Sequence, residues 1–437
     1  MALGGGTFTT QDKILPGAYI NFVSAKRDTS ALSERGIVAM PLALDWGTEG
    51  DVITITKDTY NRHCREVLGY DKDAPEMLPV REIFQHARLL YIYRLGTGST
   101  AAANEFATAK FGGTRGNDIK IVIQPNVDDA TKFDVIMLLD NVKINSQTVA
   151  GAAELTANDF VLWKKDAVLK ATAGTPLTGG TNSVAATGED YQAFLDKIST
   201  YSFHALGCPT DDDPTKKLFA AFTSRMREEV GAKFQLVGYR MGVQNYEGVI
   251  SIKNACKGVT EPDYGLVYWL AGAEAGCAVN ASCGNMAYDG EYTVDTPYTQ
   301  TQLEDGILAG DLLFHAVGGE IHVLEDINTF VQPTAQKNKD FGLNQVVRVL
   351  DQIANDVAAM FDTRYLDKVQ NNAAGRLALW NELVTYHKEL QEQGAIENFN
   401  SSDIPVPEAV GKRGVSISEA VTPVCAMEQL YMNVTVQ

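Results

Sequence analysis

The sequence has six cysteines, Cys64, Cys208, Cys256, Cys277, Cys283 and Cys425, yet no CxxC pair and no metal-ligand spacing. That pattern argues against a metal site, and the thiols read as small reduced hydrophobes in preference to a disulfide framework. Long apolar runs are missing too. No stretch approaches the roughly 20 residues needed to span a bilayer, and the start "MALGGGTFTTQDK" lacks the basic region and apolar core of a signal peptide. The expectation is a protein made in the cytoplasm with no membrane insertion. Basic charge is scarce: 37 Lys and Arg face 55 Asp and Glu, a formal net charge of -18. A nucleic-acid binder usually carries a basic stripe, so nucleic acid is not an expected partner. A phosphate cradle is also absent, because the only Gly-Lys, Gly411-Lys412, is followed by Arg413 rather than Ser or Thr. The six histidines, at 63, 86, 204, 315, 322 and 387, form no HExxH or paired-ligand arrangement and read as structural or surface residues. No catalytic, cofactor or metal site is expected.

What is present is ordinary globular composition, with 45% hydrophobic and 21% charged residues over 437 positions, enough for two to four domains. From about Ile37 to Leu95, strands such as "DVITIT" and "LLYIYRL" alternate with helical stretches around "TYNRHCREVLGY" and "VREIFQHAR". This is mixed α/β structure. Residues 96–187 then become rich in Gly, Ala, Thr and Asn, with short strands "IKIVI", "FDVIMLLD", "VKIN" and "FVLWKK" between turn clusters, which predicts an inserted β-sandwich. The α/β alternation returns over 188–330, where "YSFHALGC", "PTKKLFAAFTSRMREEVG" and "AKFQLVGYRM" make a βαβ unit.

Two local features have competing readings. The carboxylates of "TDDDP", Thr210 to Pro214, are placed to bind a cation, but they sit just before a helix with Pro at its first position, and capping explains them better. In "AGAEAGCAVNASCG" the small residues Ala271, Gly272, Ala275 and Gly276 lack a GxGxxG fingerprint, so they predict close helix packing. Residues 331–420 then carry two long helices. One has the stripe Val346, Leu350, Ile353, Val357 and Met360; the other repeats Leu377, Trp380, Leu383 and Leu390 before a stop at Gly394. A hairpin is expected from "DIPVPEAV" and "GVSISEAV".

Both ends alternate with the period of a strand. In "MEQLYMNVTVQ", Leu430, Met432, Val434 and Val436 fall on one side and Gln429, Asn433 and Thr435 on the other. In "PGAYINFVSAK", Ile20 and Phe22 share a face. These six apolar residues are the candidate interface, with the hairpin between Asp403 and Ala420 as receiver, and reciprocal strand exchange would build rings or helical polymers. The other reading is that both strands fold back on their own domain.

The stretch "VLEDINTFVQPTAQKNKDFGLNQVVRVLDQIANDVAAMFDTRYLDKVQNN", with "GGTRGNDIKIVI", "LTGGTNS" and "PVCAMEQLYMNVTV", resembles the tail sheath proteins of contractile bacteriophages and phage-tail-like bacteriocins. The specific parts are Asp326 to Thr329, Arg348 to Asp351 and Lys368 to Asn372, and the insert is similar to that of sheaths from phages of Gram-positive hosts. The resemblance implies a multidomain α/β chain: a subtilisin-like α/β core, an inserted β-sandwich, an α+β C-terminal domain and extended terminal arms. No His is followed by Gly and no "GTSMA"-like segment exists, so the core is expected to lack the protease triad. The implied domains are an arm at 1–30, the core at 31–95 and 188–330, the sandwich at 96–187, the C-terminal domain at 331–420 and a second arm at 421–437. The implied function is a structural subunit, without cofactor, that polymerises into stacked rings around an inner tail tube and contracts to drive the tube through a target envelope. Its implied partners are further copies of itself, the tube protein, and the baseplate and tail terminator proteins, in a virion tail or tail-like particle. A hydrolase-like enzyme with an unrecognised site and a viral adhesin built on the sandwich are the alternatives.

Overall fold

The computed structural model describes residues 32–242 and 244–436. The described residues open with β1 (Ile37–Leu42), β2 (Val52–Thr56), α1 (Lys57–Leu68), α2 (Leu78–His86) and β3 (Leu89–Arg94). Six strands follow: β4 (Ala107–Ala109), β5 (Ile119–Pro125), β6 (Phe133–Leu139), β7 (Val142–Val149), β8 (Val161–Trp163) and β9 (Thr172–Pro176). The next part holds α3 (Gly188–Ile198), β10 (Ala205–Cys208), α4 (Asp213–Arg225), β11 (Gln235–Tyr239), β12 (Val249–Ile252), α5 (Leu266–Gly276), α6 (Gln300–Leu308), β13 (Asp311–Leu312), β14 (Phe314–Val317) and β15 (Glu320–Val323). Last come α7 (Asn344–Met360), α8 (Ala373–Glu392), β16 (Glu408–Val410) and β17 (Gly414–Ser416).

One sheet of seven strands, in the order β13-β12-β11-β10-β1-β3-β2, draws on both sides of the insert. It is parallel except for β2, which runs antiparallel to β3. A parallel sheet is covered on both faces, so its strands read as unbroken apolar runs. Accordingly Val38, Met40 and Leu42 of β1 pack with α1, α2 and α5 on one side, while Ala39 packs with α3 and α4 on the other. The glycines of α5 let α2 approach closely: a Cβ on Gly272 would sit 2.4 Å from the Ile83 carbonyl oxygen, and one on Gly276 would sit 2.3 Å from that of His86. Of the "TDDDP" carboxylates, Asp212 caps α4 by accepting from the Thr215 amide at 2.9 Å, and Asp213 pairs with Lys216 in the first turn at 2.6 Å. The helix begins at Asp213, so Pro214 occupies its second position instead of the first.

In the insert, β7-β6-β5-β9 form one sheet and β4-β8 a second. Alternate residues of β5 and β6, Ile119, Ile121, Ile123, Val135, Met137 and Leu139, fill the space between them. The insert is seated firmly. Trp46, from the segment after β1, lies 5.3 Å from the Phe111 ring and 6.0 Å from that of Phe160, inside the sandwich core. Arg115 donates to the Gly69 carbonyl at 2.7 Å and stacks over Tyr70.

The last cluster packs Val349, Ile353 and Met360 of α7 against Leu379, Leu383, Tyr386 and Leu390 of α8. Two details differ from the apolar stripes of the sequence. Leu377 is exposed and Leu379 takes its place inside, because the buried face of α8 is rotated toward Leu379 and Leu383. More consequentially, α7 is buried nearly all round at its start, with Asn344, Gln345, Arg348, Asp351 and Gln352 inside. No helix among the described residues is long and apolar enough to cross a membrane.

Candidate assembly interface

Beyond Ala426 the backbone has no regular structure and every described residue is exposed. Leu430, Met432, Val434 and Val436 stand 86%, 72%, 73% and 91% exposed, with Tyr431 between them at 88%. Gln429, Asn433 and Thr435 are exposed as well. The alternation therefore has no pairing strand within the described chain, and neither of its faces is covered. Ile20 and Phe22 lie outside the described residues.

The hairpin of β16 and β17 is short, pairing Glu408 with Ser416, Ala409 with Val415 and Val410 with Gly414. Among the described residues these strands pair only with each other, which leaves two open edges. Asn371, in the Lys368 to Asn372 loop, holds the hairpin by donating to the Gly414 carbonyl at 2.8 Å. A groove of about 580 Å³ runs between this loop and the hairpin, floored by Phe361, Leu379 and Val415 and rimmed by Arg376, Lys412 and Arg413.

Behind this surface is a joint that the apolar patterns of the sequence do not reveal. Arg348, whose side chain is fully buried, donates to Glu274 of α5 at 2.6 Å and to Asp326 at 3.2 Å. Asp326 also accepts from the Cys283 amide at 2.9 Å and from Asn344 Nδ2 at 2.8 Å. One turn on, Asp351 meets Arg227 at 2.5 and 2.8 Å. Burial pushes both acids of the Arg348 cluster toward the neutral form, but the guanidinium and the donors around Asp326 outweigh burial and hold that carboxyl below the usual range. Glu274, desolvated and beside the Asp326 charge, is pushed well above it. Glu274, Cys283 and Asp326 place their ligand atoms within 4.8 Å of one another, a donor set suited to a cation. The Arg348 guanidinium already supplies that positive charge. Two of the sequence segments singled out for resemblance, Asp326 to Thr329 and Arg348 to Asp351, thus meet in space and bind α7 to the α/β core.

Comparison with known proteins agrees along the chain. Residues 35–95 match a model of the tail sheath protein Gp18 domain III N-terminal region, 96–182 the phage tail sheath β-sandwich domain, 185–329 the central domain and 336–437 the C-terminal domain. The phage-like element PBSX protein XkdK of Bacillus subtilis is 35% identical over 99% of this chain and all of its own. Among solved structures, the sheath tail protein of Desulfitobacterium hafniense is 38% identical with a TM-score of 0.81, covering 95% of this chain and 99% of the other. The sheath tail protein Lin1278 of Listeria innocua gives 29% identity and a TM-score of 0.79, covering 92% and 94%.

Proposed function

Since the chain belongs to the phage tail sheath protein family and is a structural subunit of a tail or tail-like particle, not an enzyme, we propose that its copies polymerise by exchanging terminal strands. In this reading 1–30 and 421–437 are the arms, and the β16-β17 hairpin receives an arm from a neighbour. The observation that carries it is the uncovered tail, whose alternating apolar residues have no pairing strand in the described chain while the hairpin keeps open edges. The resulting polymer surrounds an inner tail tube, meets baseplate and terminator proteins at its ends, and contracts to drive the tube through an envelope. Assembly takes place in the host cytoplasm. In this reading the α/β core would be the subtilisin-like unit that the family resemblance implies, kept as a fold without the protease chemistry; the sheet covered by helices on both faces supports it.

The energetics suit reversible assembly. Burying four such side chains contributes about 6 to 12 kcal/mol gross, at roughly 1.5 to 3 kcal/mol each. Association costs on the order of 4 to 15 kcal/mol in rigid-body freedom. One arm alone is marginal, whereas several per subunit make a cooperative lattice. The test is deletion of 427–437. Because those residues are exposed, the variant should unfold with the same cooperativity as the intact chain, and electron microscopy should find no tubes or rings. Polymers that form normally without the segment would refute strand exchange.

A further inference from the structure

The described roots of both arms fall on one helix. Ahead of β1, the Ser33 hydroxyl donates to Asp356 Oδ1 at 2.5 Å and receives the Gln352 side-chain amide at 2.8 Å. Arg35 reaches the end of α5, donating to the carbonyls of Cys277 at 2.9 Å and Glu274 at 3.1 Å, where a cation complements the helix terminus. At the other end of the chain, Val424 donates to the Ala395 carbonyl at 3.0 Å, and the Ala426 amide then donates to Gln345 Oε1 at 2.9 Å, after which every described residue is exposed. Gln345 and Gln352 are both nearly buried. Seven residues apart, they lie on the same face of α7, about 10 Å from one another along its axis. Between them sit Arg348 and Asp351, the two residues that fix α7 to the core through Glu274, Asp326 and Arg227.

We propose that α7 is the common anchor of the two exchanged arms, with Gln345 and Gln352 as positioning residues, so that a displacement received through one arm passes along a rigid helix to the other. This rests on the strand-exchange reading and adds the route between the strands. Buried glutamines fit the role better than apolar residues would. Each holds a departing backbone or hydroxyl by a directional bond, and the neighbouring ion pairs prevent α7 from shifting alone when the chain is pulled.

The test compares Gln345→Leu and Gln352→Leu, which keep side-chain volume, in the full chain. Hydrogen exchange read by mass spectrometry should speed up roughly three- to tenfold, the worth of one hydrogen bond, in peptides covering 424–426 and 33–36 respectively. Both variants should still assemble into sheaths, while tails carrying them contract incompletely after a trigger. Ala426→Pro removes the Gln345 bond from the tail's side, leaves the α7 sequence intact, and should give the same contraction defect. Faster exchange with complete, synchronous contraction in all three would overturn α7 as the route and leave strand exchange standing. Normal assembly of a chain lacking 427–437 would overturn the reading beneath it.

Discussion

Glu274→Gln and Asp326→Asn alter two carboxyls of one buried cluster by the same change of atoms, yet the joint requires unequal outcomes. Both acids are nearly inaccessible, both contact Arg348, and their ligand atoms lie within 4.8 Å of one another, so two carboxyls compete for one guanidinium. The surroundings favour charge on Asp326. Asp326 accepts from the Cys283 amide, from Ser282, from Asn344 and from Arg348, a set that stabilises its charge. Glu274 has burial and the Asp326 charge against it, and is held well above the usual carboxylate range. Glutamine is the shape of a protonated glutamate, with an oxygen for Arg348 and an N–H for Asp326, so Glu274→Gln should cost under about 1 kcal/mol. Asp326→Asn removes the carboxylate that the surrounding donors are built to hold, leaves only the poorly solvated Glu274 to balance the buried Arg348, and should cost more, about 3 to 5 kcal/mol.

The pH dependence separates the two further. A raised folded pKa gives stability that is complete below the ordinary Glu value of 4.5 and is lost as pH rises through the folded value. The wild type should therefore lose ground to Glu274→Gln as pH climbs above that point. Asp326, lowered from 3.8, behaves oppositely: its contribution is present above that value and falls away in acid. Urea midpoints of the three proteins at several pH values test this. Equal losses in both variants, or a Glu274→Gln deficit that widens with pH, would refute the proton assignment.

The insert offers a second prediction. Replacing 96–187 by a short Gly-Ser linker would strip the cover from Trp46, which is 1% exposed and packed on Phe111 and Phe160. That deletion alone should give aggregate, while the same deletion with Trp46→Ser should be soluble and form sheaths, as sedimentation and electron microscopy would report. Gly272→Ala should destabilise by about 1 to 3 kcal/mol in urea unfolding, because its methyl would meet the backbone of α2 at Ile83 and cannot be relieved by a rotamer change. An unchanged midpoint would mean that α2 yields easily.

Elements with one dominant period were legible from residue types alone. The βαβ unit of β10, α4 and β11, the alternating strands β5 and β6 and the α7 periodicity all follow from where apolar residues recur, and the parallel pairing of β10 with β11 follows from the helix between them. The small-residue pattern around Gly272 also carried its cause, since only a missing side chain permits that approach. The Arg348 joint had no such signal. Its partners lie 74 and 22 residues away in sequence, and charged residues on a helix ordinarily mark the solvent face, so a periodicity argument assigns Arg348, Asp351 and Gln352 outward. The tell was negative: the first turns of α7, "NQVVRVLDQ", place Val346, Val347 and Val349 around more than one face, which a helix with a single apolar stripe does not need. When apolar residues surround a helix and polar ones remain among them, those polar residues must be paired inside. That rule, applied to Gln345 and Gln352, directs attention to what they hold, which is the start of the described chain on one side and the departing tail on the other.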